Sequence, residues 1–244
     1  EIIPPSWIWE DIRNYYATVT SAFTVYDNLF RITFSSPPRA GEPVKMISTF
    51  PEMEGFEIIN NVLSSDLNSD QAYVFGSPFD KSRIITGTIP KNRKSFTIKA
   101  AVPNPEELLA GEFLRQLAKS GVFVSGKVKF EKVDPKEFQA VYIQESPTLA
   151  EIIKVLNHES VNLFAEHLVK QIAAEKLGMG SREKGIELVQ EFWKSKGTGS
   201  SFFMADGSGL SHFNAVSPAQ ITFILNYMMN EGACAEAFFQ SLPG

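Results

Sequence analysis

The chain contains 244 residues, of which 43% are hydrophobic and 21% charged, and its net charge at pH 7 is −5. This composition is typical of a globular protein with one large or two ordinary domains. The negative net charge argues against a surface that binds nucleic-acid phosphates. The sequence has no run of about 18 apolar residues, so no membrane span is predicted. The sequence does not open with a basic segment followed by an apolar one, as a signal peptide does. We therefore expect a protein that is either cytoplasmic or has lost a signal segment.

The first part of the chain, residues 1–144, is predicted to be mainly antiparallel β-structure. Trp7 and Trp9 open it, and their spacing of two indicates one face of an extended segment anchored in a core, with an aromatic carbohydrate platform as the alternative. Short runs rich in Val, Ile, Thr and Phe follow, separated by turn residues, and they predict a sandwich or barrel-like module that serves as a scaffold. The predicted strands are 17–25, 29–34, 44–47, 56–62, 71–75, 83–89 and 95–101.

A helix is predicted after these strands, at residues 105–120. Asn104 can cap its N-terminus and Pro105 occupies the first helical position. The buried face of this helix is expected to carry Leu108, Leu109, Phe113 and Leu117. Residues 122–130 are a further strand candidate, and 131–144 form a charged connector.

Every element from residue 145 onward is predicted to be helix or loop. Ser146 is expected to cap a helix that runs to His158, and a second helix follows residues 160–162 and is closed by Gly178. The apolar stripe of the second helix is predicted at Leu163, Phe164, Leu168 and Ile172. The expected fold is therefore α+β, with a β-rich region at 1–144 and a helical region at 145–244.

Two later helices complete the prediction for the helical region. One spans residues 182–196, and the other starts from a capping box formed by Ser217 and Gln220. The single cysteine, Cys234, excludes an internal disulfide and a cysteine-based zinc cluster, and we expect it to be a small buried residue.

Two motifs in the helical region carry the candidate chemistry. Ser160-Val161-Asn162 lies where one predicted helix stops and the next starts, so rigid elements can aim both polar side chains into one cleft. It is followed by Leu163, Ala165, Glu166 and Leu168. About forty residues later comes Asp206-Gly207-Ser208-Gly209-Leu210-Ser211.

The first motif resembles the S-x-N element of the penicillin-recognising serine hydrolases. S-x-N-L-x-A-E-x-L followed by D-G-S-G-L-S is similar to the D-Ala-D-Ala carboxypeptidases/endopeptidases of the DacB or penicillin-binding-protein-4 type, peptidase family S13. The W-x-W-x-D phrase at 7–11 resembles the insertion that this family carries within its catalytic domain. The resemblance thus implies that 145–244 is the helical part of a penicillin-binding transpeptidase-like domain and that 1–144 is an insertion.

The resemblance also implies an activity and residue roles. The intact enzyme would cleave D-Ala-D-Ala termini or cross-links of peptidoglycan stem peptides through an acyl-serine, would be acylated by β-lactams, and would be periplasmic or exported. Ser160 would relay a proton to the leaving amine, and Asn162 would be both catalytic and substrate-binding through a hydrogen bond to the substrate amide. Without the family flanks, Ser160 would be interpreted as a plain helix cap. The turn formed by Asp206, Gly207, Ser208 and Gly209 would support the floor of the site.

Some parts of the family pattern differ or are missing. Val161 stands where many relatives have Asp, and we expect this to be tolerated because the serine and the asparagine carry the roles. The S-x-x-K nucleophile motif is expected upstream of this chain and the K-T-G strand downstream, so the chain alone is predicted to be inactive. Ser181 and Lys184 fit S-x-x-K literally but are interpreted as the start of a surface helix, and 196–199 as a helix end and a turn.

No metal or cofactor site is predicted. A zinc site of the H-x-x-E-H type would need histidine where Leu163 stands. His158 borders the S-x-N turn and could tune a local charge, whereas His167 is interpreted as a packed or surface imidazole.

Two alternatives to the enzyme interpretation remain open. The first is a non-catalytic cell-wall-binding or interaction module that kept the scaffold and lost the motifs, and flanking gene sequence would distinguish it. The second is an unrelated β-plus-helix domain, which would require both motifs to be accidental.

Overall fold

A computed structural model describes residues 3–53, 55–77, 80–131, 139–199 and 201–244. Within these ranges the strands are β1 (Leu29–Ser36), β2 (Lys45–Phe50), β3 (Glu57–Ser65), β4 (Gln71–Phe75), β5 (Ser82–Pro90) and β6 (Arg93–Ala101). The helices are α1 (Pro105–Lys119), α2 (Leu149–Glu159), α3 (Asn162–Leu177), α4 (Arg182–Lys196), α5 (Pro218–Asn230) and α6 (Ala235–Ser241). The α+β prediction is confirmed. In the described part of the chain, none of the helices combines the length and apolarity that crossing a membrane requires.

The strands form two three-stranded sheets. The first has the order β2-β1-β6 and is antiparallel throughout. The second has the order β3-β5-β4, in which β4 and β5 are antiparallel but β3 and β5 run parallel. The parallel pair requires a crossover between β3 and β5, and β4 lies within that crossover, so the module is not the simple sequence of hairpins that the strand spacing suggested.

The core lies between the two sheets and α1. In β1 the side chains alternate, and Phe30, Ile32 and Phe34 are fully buried, as the two-residue period of a strand requires. Buried residues of both sheets and Leu108 of α1 pack with them. Asn104 caps α1 through the backbone N–H of Glu107, as predicted.

Three predictions for the β-rich region are wrong. Residues 17–25 form no strand; Ala17, Thr18, Val19 and Thr20 are buried in irregular backbone. Because burial of an irregular segment selects the same apolar and β-branched residues as a strand, the composition did not separate the two. Residues 122–130 are exposed and pair with no strand among the described residues, and Phe113 on α1 is 62% exposed instead of buried.

The opening segment also differs from its prediction. Residues 4–16 form a series of turns, with Trp7 buried as a core anchor and Trp9 exposed.

The helical region follows its prediction closely. The bounds of α4 agree, Gly178 closes α3 in the left-handed conformation, and Ser217 and Gln220 cap α5 as a capping box. The N-cap of α2 is Thr148, not Ser146, because Thr148 forms a capping box with Glu151.

Two further findings differ from the sequence-based expectation for this region. The short helix α6 was not predicted, and Cys234 at its start is exposed, not buried.

Candidate functional site

Ser160 lies at the junction of α2 and α3 and has a strained backbone. It is the C-cap of α2, with φ 53° and ψ 51°, and its backbone N–H donates to the carbonyl of Leu156. Glycine, and less often asparagine, usually adopts this left-handed conformation at a helix end. Other residues avoid it because their Cβ comes too close to the following carbonyl oxygen. The side chain is exposed, and its hydroxyl makes no hydrogen bond with any residue that the structure describes. The surrounding structure therefore imposes a strained backbone conformation on Ser160, and this conformation leaves its hydroxyl exposed just before the start of α3.

Asn162 is the first residue of α3 and is half-buried. Its Nδ2 donates to the backbone carbonyl of Tyr16 at 2.8 Å, which fixes the plane of the carboxamide. The Oδ1 atom receives no hydrogen bond from the described residues, so it can still accept from an incoming N–H group. A fixed carboxamide two residues from an exposed hydroxyl is an arrangement that can bind an amide.

Asp206 organises the glycine-containing turn and is 1% exposed. Its Oδ1 accepts from the backbone N–H of Gly209 at 2.9 Å, and its Oδ2 accepts from the backbone N–H of Ser211 at 2.7 Å and the hydroxyl of Ser208 at 3.1 Å. The amide of Asn214 and the indole of Trp7 each donate a further bond at 2.8 Å. Burial alone would raise the pKa of Asp206, but the bonds to its charged form outweigh burial and lower that pKa.

Glu166 joins this turn to α3. Its Oε1 accepts from the backbone N–H groups of Gly207 at 2.7 Å and Ser208 at 3.0 Å, and its Oε2 accepts from Nε of Arg182 at 2.9 Å. Glu166 and Arg182 are 1% and 2% exposed. Glu166 follows Asn162 by one helical turn, about 6 Å along the axis. The two motifs are thus connected through one helix and one buried carboxylate.

The sequence-based prediction missed the role of Glu166. Leu163 is buried as predicted, but Ile172 is 37% exposed, and the buried positions of α3 are Leu163, Glu166, Val169 and Ala173. The sequence did contain a signal for this role, because Glu166 lies on the same helical face as the three buried apolar residues. A carboxylate buried on such a face needs a cationic partner. Arg182 supplies that partner at the start of α4.

Two glycines allow other segments of the chain to approach α3 closely near Val169. A Cβ on Gly207 would lie 2.7 Å from Cγ2 of Val169 and 2.8 Å from the carbonyl oxygen of Ala165. A Cβ on Gly185 of α4 would lie 2.0 Å from the carbonyl oxygen of Val169. The turn and α4 therefore clamp α3 at positions where no side chain fits.

The N-terminal segment runs along α3 and contacts it repeatedly. Besides the bond from Asn162 to Tyr16, Nζ of Lys170 donates to Oγ1 of Thr20 at 2.6 Å, and Oγ1 of Thr24 lies 3.2 Å from Nε2 of His167. Burial, together with the charge of Lys170, lowers the pKa of His167. Trp7 of the same segment donates a hydrogen bond to Asp206, so residues 7–24 contact both candidate motifs.

Among the described residues, no hydrogen bond joins Ser160 or Asn162 directly to the 206–209 turn. His158 is exposed at the end of α2.

The literal S-x-x-K sequence has a purely structural arrangement. Ser181 is the N-cap of α4, and its Oγ accepts from the backbone N–H of Lys184 at 3.3 Å and donates to Glu183 at 2.8 Å. Nζ of Lys184 lies 2.7 Å from Glu187 instead of near Ser181. Gly197 ends the same helix in the left-handed conformation, as expected for the 196–199 segment.

Comparison with known proteins gives a consistent result. The family model described as D-Ala-D-Ala carboxypeptidase 3 (S13) matches residues 2–243. D-alanyl-D-alanine carboxypeptidase DacB of Haemophilus influenzae is 26% identical over 91% of this chain and 47% of its own length. D-alanyl-D-alanine carboxypeptidase of Actinomadura sp. strain R39 is 28% identical over 100% of this chain and 46% of its own length. The chain therefore spans about half the length of the curated relatives it matches.

Solved structures agree with this fold. The crystal structure of penicillin binding protein 4 (dacB) from Haemophilus influenzae superposes with a TM-score of 0.76 at 22% identity, covering 98% of this chain and 53% of that one. Its complex with a novel β-lactam gives a TM-score of 0.72 at 22% identity, over 92% and 52% of the two chains. At this identity the likeness establishes the fold.

Proposed function

The chain belongs to the D-Ala-D-Ala carboxypeptidase 3 (S13) family, and on that premise we propose that it is part of a serine-type D-Ala-D-Ala carboxypeptidase/endopeptidase. The substrates are peptidoglycan stem peptides, and β-lactams acylate the intact enzyme. The setting is periplasmic or exported. Residues 145–244 are the helical part of the transpeptidase-like domain, and residues 1–144 are the region inserted into it.

The observation that carries the proposal is the geometry at the α2–α3 junction. Ser160, at φ 53°, is exposed, and it lies two residues before a carboxamide whose Nδ2 is already bound to Tyr16. In the proposed reaction, Oδ1 of Asn162 accepts the substrate amide N–H. As the C–N bond of that amide breaks, the Ser160 hydroxyl gives its proton to the leaving amine and takes up in turn the proton lost by the nucleophilic serine.

The turn at 206–209 acts indirectly. Asp206 and Glu166 hold its backbone against α3 with partly buried, charge-assisted hydrogen bonds. This bracing keeps the helix that starts with Asn162 in a fixed position, which a site for acyl transfer needs because small displacements cost much of the rate.

The acylated serine is not Ser181, since the hydroxyl of Ser181 is engaged in capping α4 and the ammonium of Lys184 is paired with Glu187. We expect this chain alone to be inactive and not to react with a fluorescent penicillin. Covalent labelling of a serine in the isolated chain would overturn this part of the proposal.

The test measures β-lactam acylation and D-Ala release in the intact protein. Ser160→Ala is expected to slow both by about 10²–10⁴-fold, the range for loss of a proton-transfer group. Asn162→Ala is expected to slow both by about 10²–10³-fold, as for loss of one polar group that stabilises the reacting amide.

Ser181→Ala is the matched control, because it also removes a serine hydroxyl that lies close to the start of a helix. It is expected to leave acylation unchanged. Normal acylation and normal D-Ala release in both Ser160→Ala and Asn162→Ala would refute the proposed roles. An intact protein that binds peptidoglycan but is never acylated would instead support a wall-binding module.

A further inference from the structure

Arg13 and Arg83 are an unusual pair of buried charges that are not part of the candidate site. Each is 0% exposed, although arginine is almost never fully buried without a partner. Nε, Nη1 and Nη2 of Arg13 have no hydrogen-bond partner among the described residues, and the same is true of Nε and Nη2 of Arg83. Five buried donor atoms therefore lack an acceptor within the described part of the protein.

Both groups carry a positive charge at neutral pH. Burial, together with the neighbouring charge of Arg83, lowers the pKa of Arg13 to about 9. Burial lowers the pKa of Arg83 to about 10, and the smaller effect of Asp80 opposes it. Two like charges that interact in a buried site are unfavourable unless an anion compensates them.

The unpartnered atoms of Arg83 lie on one edge of its guanidinium. Nη1 is occupied by the carbonyls of Asp80 at 2.7 Å and Ser82 at 2.6 Å, and the ring of Phe56 lies 5.4 Å from the guanidinium carbon. Nε and Nη2 remain, and this is the edge that binds anions with two parallel hydrogen bonds. Gly76 makes room for the guanidinium, because a Cβ there would lie 2.9 Å from Nη1.

The fold holds Arg13 inward at a conformational cost. Its φ is 93°, which is unfavourable for a residue with a side chain. The hydrogen bonds from the backbone N–H of Ala101 to the Arg13 carbonyl, and from the backbone N–H of Val74 to Oδ1 of Asn14, fix this conformation. Strain of this kind persists where the surroundings demand one orientation of a side chain.

We propose that Arg13 and Arg83 bind a small monovalent inorganic anion of about the size of chloride, buried between the N-terminal segment and the second sheet. The ion compensates one of the two positive charges and accepts hydrogen bonds from Nε and Nη2 of Arg83 and from one edge of the Arg13 guanidinium. It thereby fastens residues 7–24, the segment that supplies the Tyr16 carbonyl to Asn162, to β4 and β5.

The test is thermal unfolding of the intact protein at constant ionic strength, with sodium gluconate replaced stepwise by sodium chloride. Gluconate is too large for a closed site, so the unfolding midpoint is expected to rise with chloride by about 2 °C or more and then to saturate. Arg83→Met is expected to abolish this dependence, whereas Arg31→Met, at an exposed arginine of β1, is expected to keep it. Equal midpoints in the two salts, or a chloride effect that survives in Arg83→Met, would overturn the proposal.

Diffraction from bromide-soaked crystals of the unaltered protein gives an independent result if Arg83→Met does not fold. An anomalous peak in contact with both guanidiniums is expected. No peak there, or a side-chain carboxylate from another part of the intact protein in that position, would contradict the proposal. Neither result depends on whether the enzyme function is right.

Discussion

Glu166 provides the sharpest test of how the candidate site is built. Replacing it with alanine removes the carboxylate partner of Arg182 and the acceptor for the backbone N–H groups of Gly207 and Ser208. We expect Glu166→Ala to be one of the most destabilising single changes in the helical region. The reason is that the ion pair with Arg182 is buried and the two backbone hydrogen bonds are partly buried, so solvent replaces them poorly.

The magnitude follows from the burial of the pair. Breaking a buried ion pair by removing one partner costs about 3–5 kcal/mol, and each buried N–H left without an acceptor costs about 1–3 kcal/mol. Because local relaxation recovers part of the sum, we expect a loss of about 4 kcal/mol, a large share of a typical folding free energy of about 5–15 kcal/mol. Glu166→Gln keeps Oε1 for the two backbone groups and loses the charge pairing, so it should cost less than alanine.

The measurements are denaturation of the intact protein and backbone hydrogen exchange at 207 and 208, which reports local opening of the turn. Glu187→Ala is the control, because Glu187 lies 2.7 Å from Lys184 but both side chains are more than half exposed, at 55% and 53%. Solvent and salt screen that pair, so the control should behave almost like the unaltered protein. If Glu166→Ala were no more destabilising than Glu187→Ala, or left exchange at 207 and 208 unchanged, the bracing role would be refuted.

Three further predictions concern stability. Ser160→Gly should be about 1 kcal/mol more stable than Ser160→Ala in chemical denaturation, because both lack the hydroxyl but only glycine relieves the left-handed strain; equal stability would argue against that strain. Gly207→Ala should cost about 1–3 kcal/mol through its clash with Val169, while Gly111→Ala, with open space around its Cβ position in α1, should be neutral or stabilising. The folded pKa of Asp206 is lowered, so its stabilisation is present above the unfolded pKa of about 3.9 and lost as pH falls through the folded value. The difference in thermal midpoint between the protein and Asp206→Asn should therefore be largest near pH 7 and shrink below about pH 4, and a constant difference would contradict this.

Local signals in the sequence predicted much of the fold. The caps at Asn104 and Ser217 and the glycines at 178 and 197 act within one helical turn, so their effect can be read from neighbouring residues. The six observed strands were also predicted, because runs rich in Val, Ile, Thr and Phe that are bounded by turn residues favour strands.

Features that depend on distant partners could not be predicted. The parallel pairing of β3 with β5 depends on how the chain crosses over, and the burial of residues 17–20 depends on packing against other parts of the chain. Glu166 was missed because its partners, Arg182 and the amides at 207 and 208, lie 16 to 42 residues away. The roles of Ser160 and Asn162 stay predictions, since they rest on the family resemblance and on the geometry of one junction.

A crystal structure of the intact protein acylated by a β-lactam tests the central claim most directly. We predict that the bound ligand lies beside the α2–α3 junction, with Oγ of Ser160 and the carboxamide of Asn162 within about 3.2 Å of its polar atoms. A ligand held elsewhere, with neither side chain in hydrogen-bonding contact, would contradict the account.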